Sequence, residues 1–282
     1  MMASIIIPAH NESNVIDRCL KAILKSNTSA QKNYEVIVVC NGCSDDTADK
    51  ARKYQGVNVI EISEASKVLA LNKGDSIARS YPRVYLDADI EISAESLQVA
   101  IEKIRSSNYL AASPTATFDL GSSSVLVKCF YAIWTKLPYF SSGKMVGSGI
   151  YLLSEKGRSR FSNFPDLVSD DGFVRALFNS SEKSTLDGCR FKVFAPRTVT
   201  ELIKIKRRAL FGNRQLSMQQ PGADIGNDNG VKDLLLVILK NPWLIPAAIV
   251  YVLIKLRIKT EVIAEEKEGT RFVWERDNSS RV

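Results

Sequence analysis

Two clusters of carboxylates stand out as residues able to do chemistry. In "VYLDADIEIS" (84–93) an apolar run leads straight into Asp87-Ala88-Asp89, and in "FPDLVSDDGFVRALF" (164–178) Ser169-Asp170-Asp171 opens a helical pattern. Carboxylates are costly to bury without partners. In an extended chain residues i and i+2 project from one face, so Asp87 and Asp89 would point the same way and invite a divalent cation between them. A solvated turn after a strand is the plainer explanation for the first cluster, and a favourable helix dipole at an N-terminus is the plainer one for the second. The elements that position them have to decide.

The first hundred residues alternate short β-branched runs with amphipathic stretches. Strands are expected at Ser4–Pro8, Glu35–Cys40, Val57–Ile62 and Val84–Leu86. Ile16, Cys19, Leu20, Ile23 and Leu24 fall at helical spacing, as do Val68, Leu71 and Ile77 less strictly, and "SDDTADKARKY" opens with N-cap residues. This alternation predicts an α/β fold built from βαβ units, with a mostly parallel, Rossmann-like sheet flanked by helices. In such sheets ligands bind beyond the carboxyl ends of the strands. There the sequence places "PAHNE" after the first strand, "NGCSDD" after the second and "DAD" after the fourth, which makes the Asp-x-Asp the expected centre of a site. Neither G-x-G-x-x-G nor a P-loop occurs, which argues against a standard dinucleotide or P-loop site.

The second half is mixed. A strand is expected over Leu110–Phe118 and a helix near Ser123–Lys136, followed by the Gly/Ser loop "SSGKMVGSGIYLLS". The segment "DLLLVILKNPWLIPAAIVYVLIKLRIK" is the most hydrophobic in the chain, but its uncharged run, Asn241 to Ile254, is shorter than the roughly 20 residues of a spanning helix. Lys255, Arg257 and Lys259 follow at once, as suits a helical pair lying on a membrane face with anionic headgroups. A core helix or a dimer interface would use the same apolar residues. The expected organisation is a domain over 1–218, divided near 108, then a linker at 219–230, a hydrophobic helical appendage at 231–260 and a charged tail at 261–282.

The net charge of +7 suggests an anionic partner: a membrane surface, a phosphorylated substrate or nucleic acid. No nucleic-acid-binding motif accompanies the basic "KIKRRALFGNR", so no nucleic-acid partner is expected. Five cysteines without regular spacing fit a reducing compartment, and the start "MMASIIIPAH" has no signal-peptide pattern, so the expected location is cytoplasmic. Cys40 and Cys43 form a C-x-x-C, but no second Cys or His pair lies nearby and His10 is the only histidine, so zinc is not expected.

Five motifs in order resemble the family 2 glycosyltransferases of the GT-A fold, over roughly residues 3–215: "SIIIPAHNE", "YEVIVVCNGCSDDTADKA", "SKVLALNKG", "YLDADIEIS" and "SDDGFVRAL". The resemblance implies an inverting transfer of a sugar from a nucleoside diphosphate sugar. It implies that Asp89, assisted by Asp87, holds Mg2+ or Mn2+ at the diphosphate. By the same analogy Pro8, Ala9, His10, Glu12 and Asn41 surround the nucleoside and Lys67 touches the base or a phosphate. Asp171 would be the general base, with Asp170 beside it in place of the more common Glu, and Arg214 a diphosphate contact. Asn41 stands where the family usually has an aspartate; UDP is the expected donor nucleotide. The Gln-x-x-Arg-Trp motif of processive synthases is missing, so one sugar per encounter is expected, onto a lipid-linked or membrane-proximal saccharide. A non-catalytic nucleotide-sugar-binding module, an anionic-polymer binder and a nucleotidyltransferase are the competing readings.

Overall fold

The computed structural model describes residues 2–25, 34–141, 145, 147–219, 229–268 and 279–281. In chain order these form β1 (Ala3–Ala9), α1 (Ile16–Leu24), β2 (Tyr34–Asn41), α2 (Thr47–Arg52), β3 (Val57–Ile62), α3 (Lys67–Ile77), β4 (Arg83–Leu86), β5 (Glu91–Ile92) and α4 (Ala94–Ser106). There follow β6 (Ala111–Asp119), α5 (Val125–Trp134), α6 (Pro138–Ser141), β7 (Ile150–Leu153), α7 (Glu155–Arg158), α8 (Asp170–Leu177) and β8 (Lys183–Phe194). The chain closes with α9 (Val199–Gln219), α10 (Val231–Lys240) and α11 (Ile245–Glu268).

Two compact units result. Met1–Phe118 with Met145–Val193 form the first, and Asp119–Lys144 with Phe194–Ser280 the second. The first unit holds a mixed sheet in the order β3-β2-β1-β4-β7-β6-β8-β5. β3, β2, β1 and β4 run parallel, whereas β7 pairs antiparallel with β4 and β6, and β5 antiparallel with β8. All seven residues of β1 are buried, as a parallel strand covered on both faces requires. Its isoleucines, Ile5, Ile6 and Ile7, are wholly buried, each contributing roughly 1.5–3 kcal/mol of apolar burial. Ile16, Cys19, Leu20 and Ile23 form the buried face of α1, the i, i+3, i+4, i+7 stripe that the sequence predicts. The chain runs outward from β1 through β2 to β3 and then returns to the other side of β1 as β4. That reversal creates a crevice at the carboxyl ends of β1 and β4, the ends that carry "HNE" and "DAD".

The second unit is helical. Phe130 on α5 packs on Tyr251 of α11, with ring centroids 5.0 Å apart. Lys206 of α9 sits over the Trp134 ring at 3.0 Å from its centroid, and Arg207 pairs with Glu261 at 3.4 Å. Ala247, Ala248, Tyr251, Ile254, Ile258 and Val262 make the buried stripe of α11. This helix continues to Glu268, past residue 260, into the stretch that the sequence suggested as tail. Most of the linker expected at 219–230 and of the tail beyond 268 lies outside the described residues. Among the described residues no helix is long and apolar enough to cross a membrane.

Candidate functional site

The first unit gathers the acidic motifs around one ammonium group. Lys67, the first residue of α3, stands just after Ser66, whose hydroxyl caps the helix by accepting from the Leu69 N–H (3.3 Å). Its Nζ reaches Asp87 Oδ1 at 2.7 Å and Asp170 Oδ1 at 2.9 Å. Burial works against its charge, but Asp170 and Asp87 more than offset this, so the Lys67 pKa is raised and the side chain stays a cation.

Asp87 and Asp89 lie on the turn after β4 and not on an extended segment. Ala88 and Ile90 are buried while Asp87 and Asp89 remain half-buried. The Asp87 N–H donates to the Gly149 carbonyl (2.7 Å), and the Asp89 carbonyl accepts from Arg18 (3.2 Å). Gly149 has φ +110°, and a Cβ there would meet Ile90 Cγ2 at 2.8 Å, so glycine is needed beside Asp87. Burial raises the Asp87 pKa to about 6, with Lys67 opposing and Asp170 and Asp89 adding to the rise.

Asp170 and Asp171 open α8, but their surroundings differ. Asp170 is only 6% exposed, and both oxygens are engaged: Oδ1 by Lys67, and Oδ2 by the Tyr151 hydroxyl at 3.0 Å. Asp171 is half-buried. Its Oδ1 accepts from the Gly172 N–H (2.8 Å) and the Ser169 hydroxyl (2.9 Å), while Oδ2 lies beside Gly147, where an added Cβ would be 2.8 Å from it. Burial, then repulsion from Asp170, raises the Asp171 pKa, with Arg175 and Lys67 opposing. A carboxylate so placed is a better proton acceptor than an ordinary aspartate.

Pro8 and Ala9 end β1, and His10, Glu12 and Asn41 follow on the neighbouring loop and strand end. The Asn41 amide donates to the Ala9 carbonyl (3.0 Å) and is 3% exposed; the Asn41 carbonyl is 2.6 Å from His10 Nδ1. The Glu12 N–H donates to the Thr47 hydroxyl at 2.8 Å. A cavity of about 350 Å³ opens beside this edge, lined by Cys40, Gly42, Cys43, Glu61, Ile62 and Ser63. Arg214 belongs to α9 in the second unit and not to the first unit, which holds the acidic cluster.

Tyr151, Gly147 and Gly149 join the site without having been singled out in the sequence. The glycines stand in the "GSGIY" part of the Gly/Ser loop, the one signal that was visible; Tyr151 reads simply as a strand residue. Among the described residues no group of three or more His, Cys, Asp or Glu side chains is placed to hold a metal. The carboxylates still suit a hard cation: Asp87 is near enough to Asp170 and Asp89 for their charges to add to the rise that burial causes. Mg2+ is commonly held by one or two carboxylates together with substrate phosphates and water, which a protein-only donor set would not complete.

The chain is similar to known proteins in sequence and in fold. The sequence model of glycosyl transferase family 2 matches residues 4–161. The chain is 32% identical over 106 residues to Glycosyltransferase AglE of Haloferax volcanii, a match covering 36% of this chain and 34% of that protein. It is 29% identical over 103 residues to the poly(ribitol-phosphate) beta-glucosyltransferase of Bacillus spizizenii, covering 34% and 16%. The chain thus spans about a third or less of these curated relatives. In fold it is similar to a mannosyltransferase of Pyrobaculum calidifontis solved with GDP-Man and Mn2+, at TM-score 0.61 and 17% identity, covering 96% of this chain and 76% of that one. It is also similar to S. aureus TarS 1-349 in complex with UDP, at TM-score 0.53 and 16% identity, covering 99% and 95%. At these identities the structural likeness concerns the fold.

Proposed function

The chain belongs to glycosyl transferase family 2, whose sequence model covers more than half of it, and on that premise we propose an inverting, metal-dependent glycosyltransferase. It moves one sugar from a nucleoside diphosphate sugar, UDP-linked, to a lipid-linked or membrane-proximal saccharide. The observation that carries this reading is the Lys67 ammonium shared by Asp87 and Asp170. It joins two acidic motifs far apart in the chain into one cluster at the carboxyl end of the sheet.

Within that cluster the differing environments support different roles. Asp170 has both oxygens committed, so it holds Lys67 and Tyr151 in place. Asp171 keeps Oδ2 for the acceptor: as the acceptor hydroxyl attacks the anomeric carbon, its proton passes to Asp171 Oδ2. Attack comes from the face opposite the diphosphate, the bond from carbon to the phosphate oxygen breaks, and the configuration inverts. Asp87 and Asp89 would hold Mg2+ or Mn2+, which when bound neutralises charge on the departing diphosphate. Pro8, Ala9, His10, Glu12 and Asn41 line the nucleoside side, and Lys67 sits where it can also meet a phosphate. Two structural neighbours by fold were solved with Mn2+ and a nucleotide or nucleotide sugar, which supports this class of donor and cofactor.

The acceptor side of the proposal rests on the second unit. Leu235, Leu236, Leu239, Trp243, Ile249 and Leu253 are exposed on α10, the turn after it and α11, with Leu239 and Trp243 at 77% and 71%. The opposite stripe of α11 is already buried, so these residues form a second apolar face. Beside Lys240, Lys255 and Arg257 they suit the interface of an anionic bilayer, and we place the protein on the cytoplasmic membrane face.

Two substitutions test the chemistry. Asp89→Ala should abolish metal-dependent binding of the nucleoside diphosphate, while Asp171→Asn should leave that binding within about threefold and lower transfer at least a hundredfold, the scale of general base catalysis. Retained transfer in Asp171→Asn would refute the assignment, and metal-dependent binding without any transfer in the native chain would favour a binding module. For the membrane face, Leu239→Ser with Trp243→Ser should release the protein from vesicles containing anionic lipid; unchanged flotation would refute it.

A further inference from the structure

The C-x-x-C of the second strand has no part in the chemistry above, yet both of its cysteines line one cavity. On a straight strand, residues i and i+3 face opposite sides. Here β2 ends at Asn41, and Gly42 adopts φ +55° with its N–H donating to the Ile62 carbonyl (2.8 Å). A Cβ on Gly42 would meet the Ala65 backbone at 2.8 Å, so only glycine makes this reversal. The turn folds Cys43 back so that it packs against the buried cluster that contains Cys40. Cys40 is buried at the end of the strand, Cys43 is partly accessible, and both line the 350 Å³ cavity. The Asn11 N–H donates to Cys43 Sγ at 3.4 Å, and as a thiol Cys43 directs its proton at the Ala9 carbonyl, also 3.4 Å away.

We propose that Cys40 and Cys43 form a peroxide-oxidisable dithiol, with Cys43 as the attacking sulfur, Cys40 as the resolving one and the cavity as the oxidant's entry. Hydrogen bonds from Cys40 and from the Asn11 N–H lower the Cys43 pKa to about 6, burial opposing, while Cys40 is raised; this matches an attacking thiolate beside a protonated partner. The Cys43 thiolate attacks one peroxide oxygen, the O–O bond breaks, and the hydroxide that leaves takes up a proton to give water. The resulting sulfenic acid is attacked by the Cys40 sulfur; the S–S bond forms, and the sulfenic oxygen leaves with the Cys40 proton as a second water. Two thiols and one hydrogen peroxide thus become one disulfide and two waters. Closing the sulfurs to the roughly 2.05 Å of a disulfide draws Cys43 away from Asn11 and Ala9. The loop that carries His10 then loses two of its contacts.

The chain reports on this itself. His10 is the only histidine, and its Nδ1 contacts the Asn41 carbonyl between the two cysteines. The reduced protein is treated with hydrogen peroxide and followed by intact mass, peptide mapping and the His10 imidazole resonance. Loss of two hydrogens, a Cys40–Cys43 peptide, and a shifted His10 signal that returns with dithiothreitol are expected. Cys40→Ser should stop at a sulfenic acid on Cys43 that dimedone traps. In the unaltered chain, alkylation of Cys43 should rise through a midpoint near pH 6, well below that of a small free thiol at about 8.5. A bridge to any other cysteine, no bridge at all, or a Cys43 profile matching that of the free thiol would overturn the proposal.

Discussion

Replacing Lys67 with methionine keeps the length of the side chain and removes the charge on which Asp87 and Asp170 meet. Two carboxylates about 5 Å apart repel by roughly 3 kcal/mol at an effective dielectric constant near 20. The side chains of Lys67 and Asp87 are 36% and 34% exposed, so solvent screening reduces this to about 1–2 kcal/mol, equivalent to about one pH unit. Asp87 already titrates at about 6 in the folded protein because of burial. In metal-free Lys67→Met its midpoint should rise by about one further pH unit, read by carboxyl NMR titration. The stability consequence follows from the sign. A carboxylate whose folded pKa lies above its unfolded value favours the fold below the unfolded value, and that contribution is lost as pH rises through the folded one. The native protein should therefore lose this increment between about pH 4 and 6, whereas the variant should go on losing stability through neutral pH. Lys67 is raised in the fold, so its own contribution is fully present below its unfolded pKa and lost only at strongly alkaline pH. An unchanged Asp87 midpoint, or parallel thermal melts from pH 5 to 8, would show that Lys67 does not neutralise the cluster.

Other outcomes follow from the same geometry. Divalent cation affinity should fall about tenfold per pH unit below about pH 6, as Asp87 takes up a proton in competition with the metal; a flat profile by calorimetry would exclude Asp87 as a ligand. Gly147→Ala would put a Cβ 2.5 Å from that of Asp171; displacement of the base should cut turnover at least tenfold while leaving nucleotide affinity within about twofold, and an equal loss in both would point to general disruption. Tyr151→Phe removes a buried hydrogen bond to Asp170 and should cost about 1.5–3 kcal/mol in denaturant unfolding; a loss under 0.5 would mean that water replaces the hydroxyl.

Local rules account for much of what the chain revealed. The four parallel strands and the buried stripe of α1 were legible because period-2 and period-3.6 patterns are properties of neighbouring residues. The polar residues after β1, β2 and β4 were legible for a related reason: a parallel sheet confines ligand chemistry to one end. Order and spacing of five motifs then pointed to the family. The turn that carries Asp87 and Asp89 was less legible, because an apolar run does not reveal where its last hydrogen bond falls.

Tertiary structure alone decided the partners. That Lys67 serves Asp87 and Asp170 together, that Tyr151 takes the remaining oxygen of Asp170, and that Gly147 leaves room for Asp171 depend on contacts between elements far apart in sequence. It also separated two adjacent acids that the sequence presents as equals, engaging both oxygens of one and leaving the other beside a glycine. The same holds for α11, whose residues are apolar on nearly every side: packing against α5 and α9 determines which stripe is buried and which is left facing outward. Sequence fixes which groups are available and at which end of the sheet they gather, while their charge state and contacts depend on distances that only the folded chain sets.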